Sequence, residues 1–447
     1  MLNRSIVVFT RDLRTTDNPA LYKAAQQGEV FPLFVFDEGI LELNDRRSNR
    51  MAFLLESLED LQAGLSDLGS ALFLRNGNWV EEIISFAKEK KVSTIHTAKD
   101  YSNLSKKRQN ALALKAEEMG LFLETHEGIA VVEPGIITPS SGEEYKVFSP
   151  YYRRWNESEW RKVLPKPKNL SPVKRDQKSL EIHQNFFLKG EHPRMKGGER
   201  GGKERMRTWV TTNLENYPNL HNDLASDKTS RLSPYLHLGC ISPLEVAVLS
   251  NEAEDKSFVR QVCWRDFFLQ ILNSRPDSAT SDYRPRNFQW KNSPSHYLAW
   301  KQGRTGYPLV DAGMRQLLNQ GFMHNRARMV VASFLTKDLH LDWRLGAEHF
   351  MHHLLDGDVA SNQLNWQWVA GTGTDFNPHR IFNPTRQSER FDKNGEYIKR
   401  WVPELEKCPI KEIHDPNPSL RQELGYPSPL VNHAEEKKAY KENYASN

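Results

Sequence analysis

Ser5-Ile-Val-Val-Phe9 and Phe31-Pro-Leu-Phe-Val-Phe36 are apolar runs of strand length, rich in branched and aromatic side chains. The pattern returns at Ala71-Leu-Phe-Leu-Arg75, Ser93-Thr-Ile-His-Thr97 and Leu121-Phe-Leu-Glu-Thr125. Between these runs, residues 49–68 and 79–90 place apolar side chains at helical spacing. Strands alternating with helices predict a doubly wound parallel sheet over residues 1–130, with ligands beyond the carboxyl ends of its strands. No Gly-x-Gly-x-x-Gly follows the first strand, and Gly-x-x-x-x-Gly-Lys-Ser/Thr is absent, so an NAD-type site and a P-loop are disfavoured.

Beyond residue 130 the character changes. Pro134, Pro139, Pro150, Pro165, Pro167 and Pro172 break up long elements, and Met195-Lys-Gly-Gly-Glu-Arg-Gly-Gly-Lys203 is glycine-rich, so residues 131–200 read as a surface linker. Phe148, Tyr151, Tyr152, Trp155 and Trp160 give that linker something to bury. Over 201–447 helical periodicity dominates, around 204–216, 243–249, 258–273, 307–319, 325–339 and 344–355. Of eleven tryptophans only Trp79 precedes residue 150, which marks two differently built halves. The tail after about 425 is polar and reads as loosely held.

The 447 residues suffice for two or three domains. The net charge of +4 permits a polyanionic partner without requiring one. No apolar run approaches the roughly 18 residues of a membrane span. Three cysteines, none in Cys-x-x-Cys, and an opening without a secretory segment lead us to expect a reducing, cytoplasmic setting.

Chemistry concentrates between Asp356 and Asp375: Asp-Gly-Asp-Val-Ala-Ser-Asn-Gln-Leu-Asn-Trp-Gln-Trp-Val-Ala-Gly-Thr-Gly-Thr-Asp. Buried carboxylates need partners, and Arg328 or Arg326, at the start of an apolar helix, is the nearest plausible one. The segment is either a structural ion pair between helices or a polar pocket for a heteroaromatic ligand. Thr229-Ser-Arg-Leu-Ser233 offers hydroxyls and backbone N–H groups to a phosphate, or an ordinary helix cap. Two basic sets stand out: Lys189, Arg194, Lys196, Arg200, Lys203, Arg205 and Arg207, and then Arg380, Arg386, Arg390, Lys393, Lys399 and Arg400 among Phe382, Phe391, Tyr397 and Trp401. Such interleaving suits phosphates and stacked bases, or a solvated face. His349, His352 and His353 lie a helical turn apart, but without His-Glu-x-x-His or a nearby cysteine no metal is expected.

In order, Phe9-Thr-Arg-Asp-Leu-Arg-Thr-Thr-Asp-Asn-Pro-Ala-Leu21, Trp264-Arg-Asp-Phe-Phe268, Thr305-Gly-Tyr-Pro-Leu-Val-Asp-Ala-Gly-Met-Arg315, Met323-His-Asn-Arg-Ala-Arg-Met329 and Asp356–Trp368 resemble the DNA photolyase/cryptochrome family, most of all its bacterial class I cyclobutane-dimer branch. The resemblance covers nearly the whole chain. It implies an α/β antenna domain (1–130), a linker (131–200) and a helical FAD-binding domain (201–447). FAD would be held by Tyr217, Thr229, Ser230, Arg231, Leu232, Ser233, Arg265, Arg328, Asp356, Asp358 and Asn362, with Arg328 paired to Asp356 and Asn362 at flavin N5. A neutral amide there points to repair, whereas Asp is the choice of plant-type photoreceptors. Trp366, Trp343 and Trp290 match the family's electron-transfer chain.

The substrate implied is DNA, double- or single-stranded, bearing a pyrimidine dimer flipped out of the stack; photolyases are among the standard examples of base flipping. Trp264 and Trp368 would wall the pocket, Met329 would pack on the dimer, and Gln261, Asn325, Arg326 and Gln387 would make polar contacts. Excited reduced FAD then lends one electron and recovers it when the ring has split. Gln261 stands where well-known bacterial cyclobutane enzymes carry Glu, and Gln is familiar there from (6-4) photolyases. Against (6-4) chemistry, that class places histidines where Asn325 and Met329 stand. A cryptochrome photoreceptor is the alternative from another functional class. The acid that clamps methenyltetrahydrofolate in relatives falls near Ser102, which favours 8-hydroxy-deazaflavin as antenna. Three cysteines exclude the usual iron–sulfur site. A monomer is expected.

Overall fold

The computed structural model describes residues 3–41, 48–140, 142, 144–187, 195–286, 288–375 and 377–445. The chain divides into two compact units, one of residues 1–215 with 230–276 and one of residues 216–229 with 277–447. That division does not follow boundaries at 130 and 200. Helices after residue 200 pack on the sheet unit, and a short segment around Tyr217 belongs with the later helices.

The first unit is built on five parallel strands, β1 (Asn3–Phe9), β2 (Gly28–Asp37), β3 (Phe73–Gly77), β4 (Thr94–Ala98) and β5 (Phe122–His126), in the order β3-β2-β1-β4-β5. The family's fold class is therefore present, with the order reversing between β1 and β4. β1 pairs Ile6 with Phe31 and with Ile95, so the apolar runs of the sequence become the central strands. Helices α1 (Pro19–Gln27), α2 (Asn49–Ser66), α3 (Trp79–Lys90) and α4 (Asn103–Glu118) connect them. Each starts where a small polar side chain accepts from an orphan N–H: Asn18 from Leu21, Ser48 from Met51, Asn78 from Val80, Ser102 from Ser105. α4 is polar on most of its surface, burying Ser105, Leu112 and Ala116, and had no apolar signature to announce it.

The linker is only partly a linker. α5 (Phe148–Glu157) forms around the buried Tyr151 and Trp155. The glycine-rich run is the beginning of α6 (Gly198–Asn213), not a connector. A Cβ at Gly202 would stand 2.7 Å from Ile241 and 2.9 Å from Tyr235, so glycine there serves close packing. The long helix α7 (Ser257–Ser274) completes the unit. Its buried Asp266 accepts from the N–H of Val131 and Val132 and from Trp155 Nε1.

The second unit is helical: α8 (Pro294–Lys301), α9 (Pro308–Gln320), α10 (Asn325–Ser333), α11 (Trp343–His353), α12 (Val359–Ala370), α13 (Pro384–Phe391), α14 (Glu396–Trp401) and α15 (His433–Ala445). Met314, Leu317, Val330, Leu335, Trp343, Phe350 and Trp366 share one apolar core. Beyond α10 the backbone widens into a π-turn, Phe334–Asp338, whose Lys337 and Asp338 are fully buried. The polar tail is docked, contrary to expectation. Tyr440 of α15 is buried, His433 hydrogen-bonds Asp338, and Glu436 meets Lys291 and His340. Among the described residues no helix is long and apolar enough to cross a membrane.

Candidate functional site

The acid-amide segment forms the loop before α12, all of α12 and the turn that follows it. Asp358 caps the helix through Ser361 N–H at 2.8 Å, and its own N–H donates to Asp356 O. Asp356 is paired with Arg328 Nη2, at 2.9 and 3.1 Å to its two oxygens, while Arg328 Nε donates to Met323 O. Of the two arginines, then, Arg328 is the partner. One turn into α12, Asn362 is buried and its Nδ2 donates to Ala347 O at 3.0 Å; among the described residues no donor reaches its Oδ1. In the same unit Thr229 Oγ1 is buried without a partner. Tyr217 has its hydroxyl pKa raised by burial. An amide oxygen that no described donor reaches and an orphan hydroxyl in one unit suit a ligand with several donors, and FAD has that character. Ser230, Arg231, Leu232 and Ser233 belong to the first unit, where Arg205 Nε donates to Ser230 O and Arg231 takes a left-handed φ of 51°.

Trp366 lies on the inner face of α12, and its described ring neighbours are Phe350 at 5.0 Å and Trp300 at 6.1 Å, both edge-on. It fits because residue 346 is glycine: a Cβ there would come within 2.2 Å of the indole. Trp343 is fully buried, donates Nε1–H to Asp282 at 2.8 Å and carries Arg344 over its ring. Trp290, partly buried, sits against Phe288. Trp300 was not singled out from sequence. It lies 66 residues before Trp366, and only the fold brings them together.

The second basic set gathers around aromatic faces. Arg326 lies 4.4 Å from the Phe391 ring centre and, among the described residues, bonds only neutral groups, Asn222 Oδ1 at 2.6 and 3.0 Å and Gln387 Oε1 at 3.4 Å. Burial, then the charges of Arg390 and Arg380, pull its pKa down to about 10. Arg380 stacks over Trp368 at 4.9 Å, and Lys337 fixes that loop by donating to the carbonyls of Pro378 and Arg380. A cavity of about 610 Å³ beside this cluster is lined by Asn222, Asp223, Arg390, Phe391 and Lys393, among others. Asn325 is exposed, and its Nδ2 lies 3.9 Å from Met329 Sδ.

The first basic set behaves differently. Lys189 and Arg194 lie outside the described residues. Of the rest, Arg200 pairs with Asp60, and Lys203 with Glu199 and Glu245, so these two tie helices together, while Lys196 and Arg207 are exposed. In α7 Gln261 is exposed, Trp264 stacks face to face on Phe148 at 3.8 Å, and Arg265 donates to Ile129 O.

A parallel-sheet unit and a helical unit with this pocket and these aromatic faces have close counterparts. Residues 5–169 match the DNA photolyase family model, and residues 258–446 match the FAD binding domain of DNA photolyase. A deoxyribodipyrimidine photo-lyase from Streptomyces griseus is 42% identical over 441 residues, covering 96% of this chain and 97% of the relative. A class III photolyase from Agrobacterium tumefaciens superposes with a TM-score of 0.92 at 33% identity, covering 100% of this chain and 98% of that one. An archaeal photolyase from Sulfolobus tokodaii, solved with two FAD molecules, gives 0.87 at 33% identity over 99% and 100%. The chain belongs to the DNA photolyase family. It carries that family's FAD-binding domain, and its curated relatives are named deoxyribodipyrimidine photo-lyases.

Proposed function

We propose that this protein is a light-driven lyase that splits cyclobutane pyrimidine dimers in DNA, working as a cytoplasmic monomer. The observation that carries this reading is Arg326, held by neutral partners beside Arg380, Arg390 and the Phe391 face. A guanidinium crowded by like charge gains most from a phosphate, and the adjoining rings give unstacked bases a surface to lie on. FAD bound in the second unit would supply light-driven one-electron chemistry. The chain's own residues do the rest. The Arg328–Asp356 pair would set a fixed charge pair just before α12, and Asn362 would present a neutral amide oxygen that adds no charge of its own. Trp366 offers an oxidisable ring among aromatic neighbours. Met329 and Asn325 supply an apolar and a polar contact for the lesion without the acid–base histidines of (6-4) repair. In the first unit we propose a deazaflavin-type antenna at the carboxyl ends of the strands. Ser102 spends its hydroxyl on capping α4 and brings no carboxylate to a folate, and the archaeal relative holds a second flavin.

The test is direct. The reduced protein is mixed with an oligonucleotide carrying a cyclobutane dimer and illuminated with blue light, and recovery of thymine absorbance is followed. A (6-4) substrate runs alongside. Recovery with the cyclobutane substrate alone is expected. Recovery with neither would leave the photoreceptor reading.

A further inference from the structure

Pleat alternation sorts β4 and β5 into two faces. Ile95 and Leu123 join the core with α3 and α4, while His96, Glu124 and His126 point to the opposite face, the one that carries Lys23 of α1. In register His96 faces Glu124, and His126 follows two residues along the edge strand. Three donor atoms converge there: His96 Nδ1 to His126 Nε2 at 2.9 Å, His96 Nδ1 to Glu124 Oε2 at 3.7 Å, and His126 Nε2 to Glu124 Oε2 at 3.9 Å. Among the described residues no other group of three such side chains comes together.

We propose that His96, Glu124 and His126 form a binding site for a divalent cation of the zinc class. Tetrahedral coordination with bonds of about 2.0–2.1 Å separates ligand atoms by roughly 3.3 Å, and the three observed separations bracket that value. Two imidazoles and one carboxylate are a borderline-soft set suited to zinc, not to magnesium or calcium. His96 is wholly buried and its Nε2 has no partner, so the ring's polar contact is made at Nδ1, towards the other two ligands. Without a cation the two rings can share only one proton between two lone pairs, and Glu124 stands outside that bond. Lys23 opposes a cation, and the Glu124 carboxylate offsets it. Glu124 is 38% exposed, which leaves the fourth position to water. The cation would tie the edge strand β5 to β4 on the face opposite α4.

The spacing of the ligands, 28 and then 2 residues, belongs to no local motif. The full chain, stripped with chelator, is titrated with Zn²⁺ by calorimetry and then with Co²⁺, whose tetrahedral absorption bands lie to the red of flavin. One Zn²⁺ per chain is expected, with affinity reduced about tenfold in Glu124→Gln and about a hundredfold in His126→Ala. Both positions are solvent-reached, and flavin content serves as the check of folding. Zn²⁺ binding of equal affinity and stoichiometry in wild type and His126→Ala would overturn the proposal, as would wild type that takes up no Zn²⁺.

Discussion

Arg14 in the first unit, buried, and Arg326 in the second, half-buried, are paired with no carboxylate among the described residues, yet they are used in opposite ways. Arg14 makes four hydrogen bonds to the carbonyls of Asp17, Gly128 and Gly239, closing the loop after β1 against the chain beyond. Asp17 in turn binds Arg161, Ser242 and the Leu164 N–H. The signature Phe9–Leu21 is thus a structural knot whose valences are spent inside the protein. In the second unit valences are left over: Arg326 has only amide partners, Asn362 an unused oxygen, Thr229 an unpaired hydroxyl. Satisfied buried charge specifies a fold, whereas unsatisfied polar groups mark where something else must bind.

The sharpest way to break this contrast is to remove one acid from each unit. Asp356→Asn leaves Arg328 short of its countercharge, a loss of about 3–5 kcal/mol for a partly buried pair. Flavin retained through purification should fall at least about tenfold, with far-UV circular dichroism unchanged. Asp17→Asn should lower the melting temperature of the protein while each folded chain keeps its flavin. Equal flavin loss in both variants would erase the distinction.

The same contrast explains what was legible in the sequence. The sheet could be read because its central strands are buried on both faces and announce themselves as apolar runs. The segment from Asp356 to Asp375 stood out because acids, amides and tryptophans seldom crowd a helix; burial asked for a cationic partner, and the structure chose Arg328 over Arg326. What stayed hidden is tertiary. Gly202 reads as a linker residue until Tyr235 and Ile241 are seen against it. Trp300 acquires interest only from Trp366, and His96 only from β5. Neutral company for Arg326 could not be inferred either, since Asn222 is 104 residues away.

A smaller effect sharpens the difference between the two basic sets. Arg326→Met keeps much of the side-chain volume over Phe391 and removes a charge near the proposed DNA path. Affinity for damaged and undamaged DNA should fall together, by about 1 kcal/mol, and the slope of log K against log salt should become shallower by about 1. Arg200→Met, which removes a charge already paired with Asp60, should leave both quantities unchanged. The measurement is fluorescence anisotropy across a salt series. A slope that moves equally in both variants would mean the two sets share one role.

The least effect is expected where the tail meets the second unit. Glu436 is held against Lys291 at 3.1 Å and the buried His340 at 2.7 Å. Against the cost of burial, hydrogen bonds from Lys291 and His340 keep its carboxyl below the ordinary value. A folded-state pKa below the unfolded one contributes stability above the unfolded value of 4.5, and loses it as pH falls through the folded value. Lys291 is exposed and Glu436 is reached by solvent in part, so screening holds the contribution to about 0.5–1 kcal/mol. Glu436→Gln should therefore lower the melting temperature by about 1–2 °C at pH 7. The gap from wild type should close as the pH is brought below 4.5. A gap that persists at acid pH would show that α15 is held by the burial of Tyr440 alone, with its charges adding nothing.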